Sequence, residues 1–426
     1  MQVKIEKLVY GGDGLGHHEG STVFVPYVLP GEVIEVRAVE RRKKFIRGRI
    51  EQVLQGSAER VAAPCPHFTV CGGCHFQHIP YEAQLRYKTE ILRETMWRIG
   101  RVKWEGPIQA HASPPFGYRN RAQWKVRPQG EKNAAGYFRA GSSALCAVTE
   151  CGILSPRLAR VLESLRELLL SGALPPALRE VEAFTEAGEA NVLLNASLVS
   201  FEGPAEQIAA ILRGAVPEAS SILLHESGRD RFELDGPGFI EYRVGDFPYR
   251  VGHLSFFQIN RFLVEEMMEA VADNVSGGLA IDLYAGVGLF AVPLGKRFER
   301  VVAVESNAAA VRDLKANVEA SSAPAQVVNT ETEKFLANCK DTPDLVVLDP
   351  PRAGVAREAL KRLAEAGPAR IFYMSCDPST LSRDLGALTG SAAGLRVGYE
   401  ITEVHLFDVF PQTYHIESLV RLRRRE

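Results

Sequence analysis

After residue 246 the chain settles into a rhythm: apolar runs at 279–284, 300–304, 344–348 and 370–374 alternate with stretches of helical pattern. Each run is strand-sized, and strands apolar on both faces belong inside a sheet that is covered on both sides. Parallel neighbours need a crossover between them, which the intervening helices supply. The rhythm predicts a doubly wound, Rossmann-like α/β domain over 246–426. Such a sheet binds ligands at the carboxyl ends of its strands. The residues just past the apolar runs therefore carry the functional expectation. Cys376, in "FYMSCDPSTLSRDL", is one of them.

A chain of 426 residues is too long for one ordinary core, so further units are expected upstream. Residues 1–58 read as a small OB-like β-barrel, with short β-rich runs punctuated by Gly11–Gly12, Gly14, Gly16, Gly20 and Pro30–Gly31. Strand 33–39 leads into "ERRKKFIRGRI", where Arg41, Arg42, Lys43 and Lys44 crowd together before Phe45. A charge run alone is most simply a solvated turn. On a barrel of oligonucleotide-binding type, with an aromatic among the cations, it is also a candidate RNA contact.

Residues 59–245 read as a mixed α+β central domain. A helix over 80–100 shows Tyr81, Leu85, Leu92, Met96 and Ile99 on one face, with Pro80 before its first turn and Gly100 as its carboxyl cap. Further on, in "YRNRAQWKVRP", Arg119, Arg121, Gln123, Lys125 and Arg127 occupy alternate positions. A strand's period of two places all five on one face. Four cations so close repel unless something neutralises them. A polyanion crossing that face would do so, and so would an array of ion pairs. The formal net charge is only −2, so nucleic-acid binding must rest on such local patches. The opening "MQVKIEKLVYGG" has no signal-peptide core and no apolar run is long enough to span a bilayer, so a cytoplasmic monomer is expected.

"GGLAIDLYAGVGLFAVPLG" reads as a strand, a tight turn and a helix, in which Gly286 and Gly288 let the backbone approach a ligand. The third glycine of a dinucleotide fingerprint is missing. Glu305 closes the next strand, 23 residues past Asp282, where a carboxylate can accept from both hydroxyls of a ribose. A ribose without phosphates suggests S-adenosylmethionine. Asp349 in "LVVLDPPRAGV" ends the strand before the one that ends at Cys376, and the two ends are expected to be neighbours.

A thiol beside a methyl donor has a specific use. Amines and hydroxyls bring their own lone pair, whereas C5 of a pyrimidine does not. A thiolate added at C6 turns the ring into an enolate whose C5 can take a methyl, after which a base removes the C5 proton and the thiol leaves. A free thiol, with pKa about 8.5, is only a few per cent ionised at neutral pH, so the site is expected to favour thiolate. "LFDVFPQTYHIESLVRLRRR" offers Glu417 as the base, with His415 as the alternative.

Together "SCDPSTLSRDL", "FPQTYHIE", "LDPPRAG", "LYAGVGLF" and "SFFQIN" resemble the RNA uridine-C5 methyltransferase family, a class I fold whose ribosomal-RNA branch carries an N-terminal TRAM barrel. The resemblance covers nearly the whole chain. It implies Cys376 as nucleophile and Glu417 as base, with Gln258, Tyr284 and Glu305 on the cofactor and Asp349 in the same pocket. Leu289 departs from family members that carry a polar residue there. Ribosomal RNA is the implied substrate, with transfer RNA as the alternative. A C5-cytosine methyltransferase also needs a cysteine, and a non-catalytic RNA-binding or redox-sensing protein is the alternative of another kind.

Seven cysteines in a long chain argue for metal binding or catalysis rather than a disulfide framework. "CPHFTVCGGCHFQH" sets Cys65, Cys71 and Cys74 in a C-x5-C-x2-C pattern, and Cys151 could supply a fourth thiolate. Four thiolates suit an iron–sulfur cluster or zinc. The family resemblance favours [4Fe–4S] on these four, because its cluster-bearing branch has this spacing and a distant fourth cysteine. Cys146 competes for the fourth place, and His67, His75 or His78 could replace a thiolate on zinc. Cys339 reads as a bystander.

Overall fold

A computed structural model describes residues 1–129, 132–200, 205–229, 231–391 and 398–425. Strands Gln2–Leu8, Asp13–His18, Ser21–Pro26, Val33–Arg41 and Phe45–Gln55 close into a five-stranded barrel around Val3, Ile5, Val23, Val25, Ile34 and Val36. Closure leaves no free edge. The expected strand 33–39 runs on to Arg41, so the basic run forms the exposed hairpin turn into Phe45–Gln55.

The central unit is a seven-stranded mixed sheet, in the order Phe232–Asp235, Ala219–Glu226, Val192–Leu198, Leu178–Thr185, Arg121–Gln129, Lys132–Phe138 and Leu145–Ala147. Helices Pro156–Ser171 and Ala205–Ala215 bury their apolar stripes against one face, with Trp124 and Leu194 in the shared core.

The carboxyl-terminal sheet has eight strands. Ala325–Asn329, Phe298–Glu305, Gly277–Leu283, Leu345–Leu348 and Arg370–Ser375 run parallel, followed by antiparallel Glu417–Arg424 and then Tyr399–Phe407. Two apolar cores sandwich it, one built with helix Val264–Ala272 and one with helices Tyr81–Gly100, Arg357–Ala366 and Pro378–Leu388. The doubly wound reading of 246–426 matches this arrangement.

In space, however, this unit reaches outside 246–426. The eighth strand is Gln109–His111, paired with Tyr399–Phe407, and hairpin Phe239–Gly252 packs into the first core. The first lies within the 59–245 segment and the second straddles its end, so that edge in sequence is not an edge in the fold. Helix Tyr81–Gly100 also differs from its expected face. It buries Ala83, Gln84, Tyr87, Lys88, Ile91, Leu92, Met96 and Gly100, while Ile99 stays exposed. Gly100 is not the left-handed cap; Arg101 is, with φ 56°. The glycine is there because a Cβ on it would sit 2.1 Å from the Ser382 carbonyl oxygen, where this helix crosses Pro378–Leu388. Among the described residues no helix is long and apolar enough to cross a membrane.

Candidate active site

Strands Arg370–Ser375 and Glu417–Arg424 pair antiparallel, and their last rung joins Ser375 to Ser418. The next step outward places Cys376 beside Glu417. Leu348 pairs with Tyr373 on the other side, which brings Asp349 to the same edge. Three acidic groups thus meet at the carboxyl end of the sheet. Asp377, directly after the thiol, caps helix Pro378–Leu388 by accepting the Ser379 and Thr380 amides at 2.8 and 3.0 Å.

The crowding has a cost. Burial pushes the Cys376 thiol up to about 12, Glu417 and Asp349 add to it, and Arg352 opposes. Loss of water and two nearby carboxyls thus work against the expected thiolate and favour the proton on sulfur. Glu417 is itself raised well above the carboxylate range by burial, and Asp349 reaches about 7 for the same reason. His415 lies in the connecting loop and is lowered to about 3, first by burial and then by Arg352, so it is a poor proton acceptor here.

The turn after Gly277–Leu283 takes three left-handed residues, Tyr284 at φ 63°, Gly286 at 55° and Gly288 at 96°. A Cβ on Gly286 would meet nothing within 4 Å, which leaves open space against the backbone; one on Gly288 would strike Leu314 at 2.7 Å. Glu305 faces this turn and accepts the Gly286, Ser306 and Asn307 amides at 2.9, 2.8 and 2.7 Å. Asp282 is fully buried, which raises its carboxyl well above the usual range. Gln258 is buried in the 252–260 segment. Leu289 packs into the core, and only its carbonyl is used, by the Tyr249 hydroxyl at 3.1 Å. A cavity of about 930 Å³ borders Tyr284, Glu333, Pro351 and Gly354 and continues to Arg383 and Asp384; it does not reach Gln258, Glu305 or Cys376.

Cys65, Cys71, Cys74 and Cys151 line one cavity of about 120 Å³, together with His67, Arg119 and Tyr137. Burial lifts Cys71 to about 11 and Cys74 to about 12, with the neighbouring thiols contributing. Cys146 is within electrostatic reach of Cys65 and Cys71 without lining the cavity. Among the described residues no three His, Cys, Asp or Glu side chains stand close enough to share one ion. His75 and His78 point elsewhere, towards Tyr414 and towards Tyr27 and Phe68.

The cation ladder is largely answered from within. Glu180 pairs with Lys125 and also takes the Gln123 amide. Arg127 donates to the Val126 and Arg179 carbonyls, and Arg119 to that of Arg121 at 2.8 Å. Arg121 donates to the Ser255 carbonyl at 2.9 Å and stacks over Phe184 at 4.3 Å. Two of its nitrogens, Nε and Nη2, remain buried without a partner. On the barrel, Arg42 pairs with Glu40 at 2.7 Å, and Arg41, Lys43 and Lys44 are exposed.

A family model for tRNA (Uracil-5-)-methyltransferases matches residues 80–425, and a TRAM-domain model matches residues 1–50. The chain belongs to the uracil-5-methyltransferase family. As such it is a SAM-dependent RNA methyltransferase with a class I fold and an N-terminal TRAM barrel. This methyltransferase is 32% identical to an uncharacterized RNA methyltransferase of Aquifex aeolicus, covering 100% of this chain and 99% of that one. It is also 32% identical to the 23S rRNA (uracil(1939)-C(5))-methyltransferase RlmD of Pseudomonas entomophila, over 98% of this chain and 92% of the relative. Among solved structures, the Pyrococcus abyssi tRNA (uracil-54, C5)-methyltransferase in complex with S-adenosyl-L-homocysteine aligns with a TM-score of 0.76 and 27% identity, covering 99% of this chain and 100% of that one.

Several residues around the methyltransferase site escape sequence reasoning. Tyr10 of the barrel donates to Asp377 at 3.1 Å, and its ring meets Tyr414 edge-on. Lys88, with no exposed surface, pairs with Asp408 at 2.6 Å beneath the loop that leads to Glu417. Arg352 was visible in "LDPPRAG", but nothing in the string says that it balances the thiol.

Proposed function

We propose that this methyltransferase forms 5-methyluridine in 23S ribosomal RNA, with Cys376 as nucleophile and Glu417 as base. The observation that carries the reading is the adjacency of Cys376 and Glu417 one step beyond the Ser375–Ser418 rung. A nucleophile and a proton acceptor on adjacent strands can flank one pyrimidine ring. Cys376 releases its proton to solvent and adds to C6 as its thiolate, with Arg352 and the amino end of helix Pro378–Leu388 opposing the negative field of the carboxyls. S-adenosylmethionine supplies the methyl to C5. Glu417, a stronger base for being buried, then takes the C5 proton and the C6–S bond breaks, returning the electron pair to sulfur. The target base must leave its stack to reach the sheet edge.

Gly286 and Gly288 would leave room for the cofactor, Glu305 would accept from its ribose hydroxyls, and Gln258, Tyr284 and Asp349 would contact it. Arg41–Lys44 on the barrel and Arg119, Arg121, Lys125 and Arg127 on the central sheet serve the RNA backbone, with Arg41, Lys43 and Lys44 the most accessible because they are exposed. Cys65, Cys71, Cys74 and Cys151, gathered around one cavity, are the residues that would hold a [4Fe–4S] cluster, with zinc as the alternative; the group would staple the segment and take no part in methyl transfer.

Ribosomal RNA is preferred because full-length relatives with this barrel include enzymes named for 23S rRNA. Transfer RNA stays as the second reading because the P. abyssi structure is that of a tRNA enzyme. Incubation with S-adenosylmethionine and unmodified ribosomal or transfer RNA, followed by nucleoside mass spectrometry, decides. 5-Methyluridine in ribosomal RNA alone supports the reading, and in transfer RNA alone it replaces the substrate. No methylated pyrimidine in either refutes the chemistry.

A further inference from the structure

The loop from Asp408 to Ile416 delivers Glu417, and its first five carbonyls are each held by another part of the chain. Asn260 donates to Asp408 O and Val409 O at 3.4 and 3.1 Å, Lys88 to Phe410 O at 3.0 Å, and Tyr118 to Pro411 O at 3.0 Å. Gln412 O accepts the amides of both His75 and Phe76, at 2.8 and 2.9 Å. Those two amides follow directly on Cys74, so the cysteine segment is the floor on which the loop rests.

Gln412 is the turning point. It is a buried, non-glycine residue at φ 67°, a conformation that persists only when surrounding contacts over-determine it. Those contacts converge on Gln84, which has no exposed surface. The Gln84 Oε1 accepts the Gln412 main-chain N–H at 3.0 Å. Its Nε2 donates to Gln412 Oε1 at 3.0 Å, Phe76 O at 3.2 Å and Ile79 O at 2.8 Å. One amide group thus ties helix Tyr81–Gly100, the cysteine segment and the catalytic loop together, five residues before Glu417.

We propose that Gln84 is a positioning residue for the methyl-transfer cycle: through Gln412 it sets the path of the loop and so the reach of Glu417 to the C5 proton. This rests on the reading of Glu417 as base. Packing of the apolar neighbours does not require an amide at this place, since a leucine fills a similar volume. The directed bonds to a left-handed residue do require one.

The test is Gln84→Leu in the full-length protein, with Glu417→Gln in parallel. Displacement of the base should slow turnover by between about 10- and 100-fold, the scale of a small misplacement of a catalytic group. KM for RNA should stay within about twofold, because no residue that meets RNA has changed. A covalent protein–RNA band should accumulate on a denaturing gel, as in Glu417→Gln, and amide exchange should quicken at 412–416. Normal turnover without an adduct, while Glu417→Gln traps one, overturns the proposal and leaves the base in place. If Glu417→Gln traps none, the base assignment falls, and unchanged exchange at 412–416 in Gln84→Leu then overturns the positioning as well. Should Gln84→Leu not fold, Gln412→Gly replaces it: glycine accepts φ 67° and keeps the main-chain bonds but loses the amide contact, and it should show the same adduct. A Gln412→Gly enzyme with normal turnover and no adduct counts against the proposal.

Discussion

Lys88→Met should be among the more damaging single changes outside the proposed catalytic residues. Lys88 and Asp408 have no exposed side-chain surface and meet at 2.6 Å. Removing the ammonium strands a buried carboxylate, a loss of about 3–5 kcal/mol. The Phe410 carbonyl also loses its donor, worth about 1 kcal/mol. Lys88→Met/Asp408→Leu should recover most of the stability, because an apolar pair often replaces a buried ion pair without loss. Urea unfolding of the wild type, both single variants and the double variant measures all of this. A loss below about 1 kcal/mol for Lys88→Met, as for an exposed pair, would refute the reasoning. So would a double variant no better than the single.

Alkylation of Cys376 by iodoacetamide in the free enzyme should be slow at pH 7 and rise steeply towards pH 12, since the thiol stands at about 12. Asp349→Asn removes a charge that raises it and should speed alkylation at pH 8; Arg352→Ala should slow it, and the opposite order would reverse the assigned roles. The same carboxyl, raised from 3.8 to about 7, favours the folded state below pH 3.8 and loses that contribution as pH rises through about 7. Asp349→Asn should therefore flatten the pH–stability curve across that window. Gly100→Ala should cost about 1–3 kcal/mol in urea unfolding, because its methyl would meet the Ser382 carbonyl where two helices cross; an unaffected midpoint would contradict the close approach. Cys65→Ser should bleach the brown absorbance of protein purified without oxygen and lower its unfolding temperature, whereas a colourless wild type with bound zinc would replace the cluster by that metal.

The strand rhythm after residue 246, the tight Gly286–Gly288 turn and the small amino-terminal barrel were all legible in the sequence. They follow from periodicity and turn chemistry, which act over a few residues. The C-x5-C-x2-C string was legible for the same reason. The adjacency of Asp349 and Cys376 followed from parallel strand order alone. By contrast, the helical face of Tyr81–Gly100 was misread, since a search for apolar spacing passes over Gln84 and Lys88. Those two are buried because Gln412 and Asp408 are waiting for them, 328 and 320 residues away. The cation ladder looked unpaired until strand Leu178–Thr185 brought Glu180 opposite Lys125. Gly100 looked like a cap, and only the crossing helix explains it.

The proposed catalytic pair divides in the same way. The sequence by itself determined that a thiol ends one strand and that a carboxylate begins another. Only the tertiary structure decided that the two strands pair antiparallel with Ser375 on Ser418, so that Cys376 and Glu417 meet, and that their meeting place excludes water enough to keep the thiol protonated. Register between distant strands and the solvation of a buried site are properties of all the segments that converge there, and no local stretch of chain encodes them.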